Sequence, residues 1–489
     1  MLEQLVDGSS TVGCSSQEAA AIRRQIASMA RTLLNRLTTV VVGLCLTAQS
    51  SFAVPDQSDK RARDMGPTII RDAEIEGLLR IYAGPIFKAA GINSNAAHVV
   101  VIGAPGINAF VAGGQRIFVN SGLITRAPNP NTVIGVLAHE SGHIAGGHLA
   151  RMNSAMAEAS TEAIIGTLLG AAAMVGGAVA GSSTAAQAGT GIILGSQGSA
   201  QRGLLVYQRA MEATADESAM RYLAATHQSA KGMLDLFRIL ANESLASTHG
   251  TDPYAYSHPL PFDRIRALEA QAQASPDYNK RDDPALLLRH RLAQAKLVGF
   301  LTPLQVFSRY PASDNSLPSR YAHAIAFFRR GDLKAAIPII DTLTAEMPND
   351  PYFWELKAQA YLENGRADEG LPFIKKARAI LPNNGLLEIL NAQILLGSEN
   401  PAHADEAIGI LKQARITEPE EPGLYKYLAQ AYGLKKEIAQ AELATAEFAY
   451  ATGDMKSAQE KAALAKKYLK QGSPEWLRAS DIESFASKK

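Results

Sequence analysis

The residues best equipped for chemistry are His139-Glu140-Ser141-Gly142-His143. Four helical residues turn the chain through about 400°, so His139 and His143 lie about 40° apart and project both imidazoles toward one ion. Glu140 stands beside them, where it can take a proton from an attacking water. A zinc ion held there would bring the pKa of that water to about 7, and the carboxylate can pass the proton on to a leaving amine. Residues 132–151 are otherwise mostly apolar and read as a buried helix, in which an unpaired His-Glu-His cluster is costly. The pattern therefore predicts a metal site. Only two cysteines occur, Cys14 and Cys45, too few for a Cys-rich zinc module, an iron–sulfur cluster or a disulfide framework. The metal ligands must be His and carboxylate.

A catalytic zinc commonly takes three protein ligands plus water, and two candidates compete for the third place. The longer pattern H-E-x-x-H-x-x-G-x-x-H finds Gly146 in place but Leu149 where the last His belongs. His148 comes one residue early; on a continued helix it lies about 180° from His139, which favours a supporting or packing role. The other candidate is Glu212, in Glu212-Ala213-Thr214-Ala215-Asp216. Glu212 and Asp216 share a helix face, so one can ligate the metal while the other accepts the N–H of a ligating His. Glu217 points about 140° from Glu212 and reads as solvated. Helical geometry favours Glu212 as ligand.

These groups need elements to hold them. Residues 71–90 carry Ile75, Leu78, Leu79, Tyr82 and Ile86 at helical spacing. Residues 98–102, 109–112 and 116–119 are short, rich in Val, Ile and Phe, and separated by Pro105-Gly106 and Gly113-Gly114. They read as a small antiparallel sheet. Residues 163–201 contain no charge and are rich in Ala and Gly, which suits a close-packed helical hairpin, buried or dipping into a surface. Glycines and Ser182, Ser183, Thr184 and Gln187 interrupt each apolar run near the length of a membrane span. A helix is expected over 208–223, then a loop bearing His258-Pro259, then helices over 261–307.

The last third repeats itself. Ala324, Ala358 and Ala392 recur at 34-residue intervals and Ala429 follows after 37, with Phe327, Tyr361, Leu395 and Tyr432 in the same register. Small residues recur at Ala336, Gly370, Ala407 and Ala441, and Pro348, Pro382 and Pro419 close the units. This is the tetratricopeptide pattern, in which two antiparallel helices touch through small residues and fill space with large ones. The additional residues fit the loop 397–405.

At the other end, an apolar run over 37–46 follows Arg23, Arg24, Arg31 and Arg36 and ends in Ser51-Phe52-Ala53. It reads as an export signal cleaved near Ala53, too short for a spanning helix of about 20 residues. The expected location is the periplasm, with both cysteines lost with the signal. With 48 basic and 47 acidic side chains, net charge +1, the chain has no global electrostatic case for nucleic acid.

Five ordered blocks, Asn108-Ala109-Phe110, Gly122-Leu123, His139-Glu140-x-Gly142-His143, Glu212-x-x-Ala215-Asp216 and His258-Pro259-x-x-x-x-Arg264, resemble the peptidase family of the CAAX prenyl protease and the heat-shock protease HtpX. With the signal and the repeats, the chain is most similar to a soluble periplasmic branch of that family. The expected fold is α+β and mostly helical. A signal and leader (1–53) precede a zincin-like metallopeptidase domain (54–310), and an α-solenoid of tetratricopeptide repeats (311–489) follows. The resemblance implies one Zn2+ per chain held by His139, His143 and Glu212, Glu140 as general base and acid, and Asp216 behind a ligand. It also brings His258 and Arg264 to the active site; otherwise they read as a turn and a helix-surface charge. His258 would either hydrogen-bond the developing oxyanion or occupy the open zinc position. Asn108, Ala109 and Phe110 would form the edge strand on which an extended substrate pairs. The implied role is cleavage of unfolded or stalled proteins in outer-membrane protein quality control. Its partners would be misassembled outer-membrane proteins, the insertion machinery through the repeats, and a membrane surface peripherally. A rival is a chaperone-like scaffold whose proteolysis is minor or gated. An integral-membrane prenyl-protein protease conflicts with the lack of several long apolar spans.

Overall fold

A four-stranded sheet and the helices packed on it come first along the chain. The computed structural model describes residues 68–94, 96–179, 183–246, 258, 262–398 and 400–485; the export signal and the leader lie outside the described residues. Strand β1 (Ile69–Ile70) leads into α1 (Ala73–Ala89), whose first turn is capped by the Asp72 carboxylate accepting from Ile75 N–H at 2.9 Å. Strands β2 (His98–Ile102), β3 (Ala109–Ala112) and β4 (Arg116–Asn120) follow.

The sheet order is β1-β2-β4-β3, and β2 runs parallel to β4. The sheet is therefore mixed, where an antiparallel one was expected. Gly113-Gly114 makes a hairpin between β3 and β4, both glycines at positive φ. Pro105-Gly106 does not: the loop crosses the end of β4, held by Asn120 N–H to Asn108 O and Gly122 N–H to Ala104 O, both 2.9 Å. Alternation then buries Val101, Ala109, Ile117 and Val119 against the helices.

Helix α2 (Ser121–Arg126) precedes α3 (Pro130–Ala145), which starts with Pro130 and an Asn129 cap. It is buried from Pro130 through Gly142. The chain breaks at Gly146-Gly147, Gly147 at φ +62°, and α4 (His148–Val179) and α5 (Ser183–Ala225) form the expected hairpin. The single helix expected over 132–151 is thus two, and the helix expected over 208–223 is the end of α5. Among the described residues no helix is long and apolar enough to cross a membrane. The close crossing of α3 and α5 depends on Gly142, where a Cβ would lie 2.8 Å from Ala215 O and 2.9 Å from Ala215 Cα.

Helices α6 (Lys231–Ala246), α7 (Phe262–Gln273), α8 (Pro284–Leu301) and α9 (Val306–Arg309) lead into five antiparallel pairs. These are α10 (Leu317–Arg329) with α11 (Leu333–Glu346), α12 (Pro351–Glu363) with α13 (Ala367–Ile380), and α14 (Gly385–Gly397) with α15 (His403–Thr417). The last two are α16 (Pro422–Leu434) with α17 (Ile438–Ala451), and α18 (Met455–Tyr468) with α19 (Pro474–Phe485). The result is an α-solenoid. Ala324, Ala358, Ala392 and Leu395 are fully buried, and the 37-residue spacing falls at the loop between α14 and α15.

Helix α8 joins the solenoid to the sheet half. Tyr82 O–H donates to His290 Nδ1 and His290 Nε2–H to Ala127 O, both at 3.1 Å. Ala73 of α1 packs among Ala358, Ile374 and Leu387 of the solenoid. Arg71 pairs with Glu418 and Glu421, and Arg116 with Glu420 at 2.7 Å. At the centre of the joint, buried Lys296 meets Asp72 at 2.8 Å, Glu355 at 3.2 Å and Glu74 at 3.4 Å. Tyr321 O–H donates to Glu74.

That joint has more carboxylate than cation. Burial, reinforced by Asp72 and Asp350, outweighs Lys296 and lifts Glu74 to about 8 and Glu355 to about 7. Both folded values exceed the unfolded one, so this stabilisation is complete below the ordinary carboxylate range and fades as pH rises through 7 to 8. Glu355→Gln is expected to match the parent chain near pH 5 and to be more stable than it by about 1–3 kcal/mol near pH 8.5. Denaturant melts at both pH values check this; a loss of stability at pH 8.5 would contradict it. Gly142→Ala is expected to cost about 1–3 kcal/mol by overpacking, read in the same melts, and to lower metal affinity by moving α5 off α3.

Candidate metal centre

Two helices and the segment between α6 and α7 bring the polar groups together. His139 and His143 come from α3, Glu212 from α5, and His258 from the chain between α6 and α7; one donor atom of each lies within 4.8 Å of all the others. His139 Nε2 and His143 Nε2 are 3.1 Å apart, and each is 3.4 Å from a Glu212 oxygen. His258 Nδ1 lies 3.0 Å from Glu212 Oε1 and 3.5 Å from His139 Nε2. His139, Glu212 and His258 are buried and His143 nearly so.

Lone pairs aimed at one point repel unless a cation lies between them. Burial opposes charging His139, but hydrogen bonds to Asp216 and Glu212 prevail and lift it to about 10. Burial likewise resists ionisation of Glu212, yet hydrogen bonds from His139, His143 and His258 hold its carboxyl far below the ordinary range. Burial, with the His139 charge adding to it, pushes His143 down. Three imidazoles and one carboxylate form a donor set that suits zinc.

Asp216, one turn beyond Glu212, places Oδ1 3.0 Å from His139 Nδ1, the arrangement that fixes a ligating imidazole with its other nitrogen outward. Glu140 is fully buried, and neither carboxylate oxygen has a hydrogen-bond partner among the described residues; His258 Nε2 is 3.5 Å from Oε1. An orphaned buried carboxylate beside converging donors is costly unless a water or ion completes it. Phe237 closes the far side of His139, edge to face at 6.2 Å.

Of the expected residues, the structure brings His139, His143, Glu212, Glu140, Asp216 and His258 together. His258 stands among the donors themselves, the second of the two places open to it from sequence. The helix does not continue to His148, which was expected about 180° from His139 if it did; the Gly146-Gly147 break turns it back to 3.0 Å from His143, Nδ1 to Nδ1. Burial and the His143 ring push His148 down to about 4. The glycine pair was the signal for this return. Glu217 is exposed, as read. Arg264 belongs to α7, but its side chain lies outside the described residues. Ala109 and Phe110 belong to β3, at the edge of the sheet and packed on α3, with Asn108 just before it. Ala109 is buried, and Phe110 stacks on Phe118 at 5.3 Å.

Known proteins support the same reading. Residues 71–272 match the model of peptidase family M48. The chain is 22% identical over 405 residues to the beta-barrel assembly-enhancing protease of Yersinia pestis, covering 80% of this chain and 78% of that one. It is 23% identical over 351 residues to that of Escherichia coli K12, covering 68% and 67%. A putative beta-barrel assembly-enhancing protease of Vibrio cholerae is 28% identical over 259 residues, half of each chain. The chain is thus a metallopeptidase, similar over residues 71–272 to peptidase family M48 and along most of its length to the beta-barrel assembly-enhancing proteases.

Proposed function

We propose that the chain is a zinc-dependent endopeptidase of the periplasm that cleaves unfolded or stalled proteins in outer-membrane protein quality control. The observation that carries this is the convergence of His139, His143 and Glu212, backed by Asp216, beside the buried Glu140 carboxylate, which accepts no hydrogen bond among the described residues. His139, His143 and Glu212 would hold the zinc, which when bound would supply Lewis-acid chemistry and a water of pKa about 7. Glu140 takes the water's proton and delivers it to the leaving amine. Asp216 accepts the His139 Nδ1–H and keeps Nε2 aimed inward. Strand β3 pairs through its outer edge with an extended substrate backbone, which selects unfolded over compact proteins.

The names of the similar proteins supply the outer-membrane context, and the export signal read at residues 37–53 supplies the periplasm. The helical pairs, as tetratricopeptide repeats, bring a misassembled outer-membrane protein or the insertion machinery to the zinc. A groove of about 400 Å³ between α1, α8 and the solenoid, lined by Arg71, Leu301, Leu390 and Tyr427, offers such a partner room.

One observation favours a gated enzyme: His258 is part of the donor group. While it stays there, the place needed by water or a substrate carbonyl is taken. Moved aside, it can donate to the developing oxyanion.

Glu140→Gln is expected to keep about one zinc per chain and to lose about 10²–10⁴-fold in hydrolysis of unfolded casein, measured by zinc content and digestion of the purified protein. Equal digestion by this variant would leave the scaffold reading in its place. His258→Ala is expected to keep zinc and digest casein faster; a fall in rate would assign His258 to the oxyanion.

A further inference from the structure

The two helix-borne imidazoles face the same chemical demand. Each must present an unprotonated Nε2 to the shared point, so a neutral ring must carry its proton on Nδ1. For His139 the group facing Nδ1 is the Asp216 carboxylate, with Oδ1 at 3.0 Å. The group facing His143 Nδ1 is His148, buried at 4% exposure, with Nδ1 at 3.0 Å and its ring edge-on to that of His143, centroids 4.9 Å apart at 82°.

We propose that His148 is a positioning residue of the metal centre: its Nδ1 accepts the Nδ1–H of His143 and so holds His143 Nε2, lone pair inward, at the metal. This rests on the zinc reading above and adds to it a second acceptor, from a residue outside the H-E-x-x-H pattern. The donor and acceptor roles follow from proton counting. With the His143 proton on Nδ1, a bond at 3.0 Å requires a lone pair on His148 Nδ1, and the proton of His148 then sits on its Nε2.

The backbone is built for this return. Helix α3 stops with Gly146 as its cap, Gly147 turns the chain at φ +62°, and α4 begins at His148 itself. The His148 ring lies over Gly146, where an added Cβ would be 2.3 Å from Nε2 and 2.6 Å from Cδ2. Gly146 has φ −73°, ordinary for any residue, so it is the space above it that the ring uses. The two ligands therefore have unequal supports. A carboxylate backs His139 strongly, whereas a neutral imidazole backs His143 by direction more than by charge.

The test uses Zn2+ affinity of the full mature chain, measured by competition with a chelator, in three variants. His148→Leu removes the acceptor and is expected to weaken zinc binding about 10–100-fold. His148→Asn places an amide oxygen near the position of Nδ1 and is expected to restore most of it. Gly146→Ala keeps every donor but displaces the ring, and is expected to weaken zinc as His148→Leu does. Thermal melts of the zinc-free variants identify any that fail to fold, and imidazole nitrogen NMR of the parent chain reads the bond directly. The expected spectrum has His143 protonated on Nδ1 and His148 on Nε2. Unchanged zinc affinity in His148→Leu overturns the proposal, as does equal loss in His148→Asn, which would make the role one of packing. A parent chain that binds no zinc removes the zinc reading instead, and the nitrogen spectrum still decides for or against the hydrogen bond.

Discussion

The α3–α5 crossing at Gly142 and Ala215 is the constraint on which the rest depends. A Cβ on Gly142 would stand only 2.8 Å from Ala215 O and 2.9 Å from Ala215 Cα, so the two backbones cross this closely only because Gly142 has none. That approach lays Glu212 and Asp216 against His139 and His143 in a place without bulk water. Buried imidazoles and carboxylates are tolerated only as a complete set, because each missing partner leaves a desolvated polar group. The sheet, α1, α6 and α8 wrap this crossing, and Val133, Val136, Leu137 and Phe237 are buried around it. The apolar core serves to keep a polar one dry and in register.

A second buried polar centre, at the solenoid joint, is organised on a different balance. Lys296 is shared among Asp72, Glu74 and Glu355, drawn from the start of α1 and from α12. One cation cannot neutralise three carboxylates, so the joint is held partly by acid protons and by the Tyr321 hydrogen bond. Helix α1 thus takes part in both centres: its first turn sits in the solenoid, while its apolar face belongs to the core beneath the metal helices. A displacement of the solenoid has a short rigid path to α3 through α1 and α8, both of which touch it.

The metal site also shows how backbone punctuation makes chemistry. Gly146-Gly147 ends α3 after the second imidazole and folds the next histidine back onto it. A continuous helix would have carried His148 to the opposite face. The same break frees α4 and α5 to run on as a hairpin whose return arm delivers Glu212. One two-residue interruption therefore sets both how Glu212 approaches the two imidazoles and which group stands beside His143.

Much of this was legible in the residues alone, wherever the pattern was local or periodic. The i, i+4 pairs His139/His143 and Glu212/Asp216 require only helical geometry, and the 34-residue recurrence of Ala324, Ala358 and Ala392 requires only that like units stack. Composition excluded cysteine ligands without any structure. What the tertiary structure decided was non-local. The parallel pairing of β2 with β4 follows from where a loop crosses, not from strand composition. The place of His258 among the donors depends on a loop of remote sequence meeting Glu212. The burial of the start of α1 among solenoid side chains, with its surplus of carboxylate around Lys296, depends on helices remote in sequence packing beside it. Periodicity specifies which face of an element is apolar; only packing in three dimensions selects which polar groups must share the space between faces.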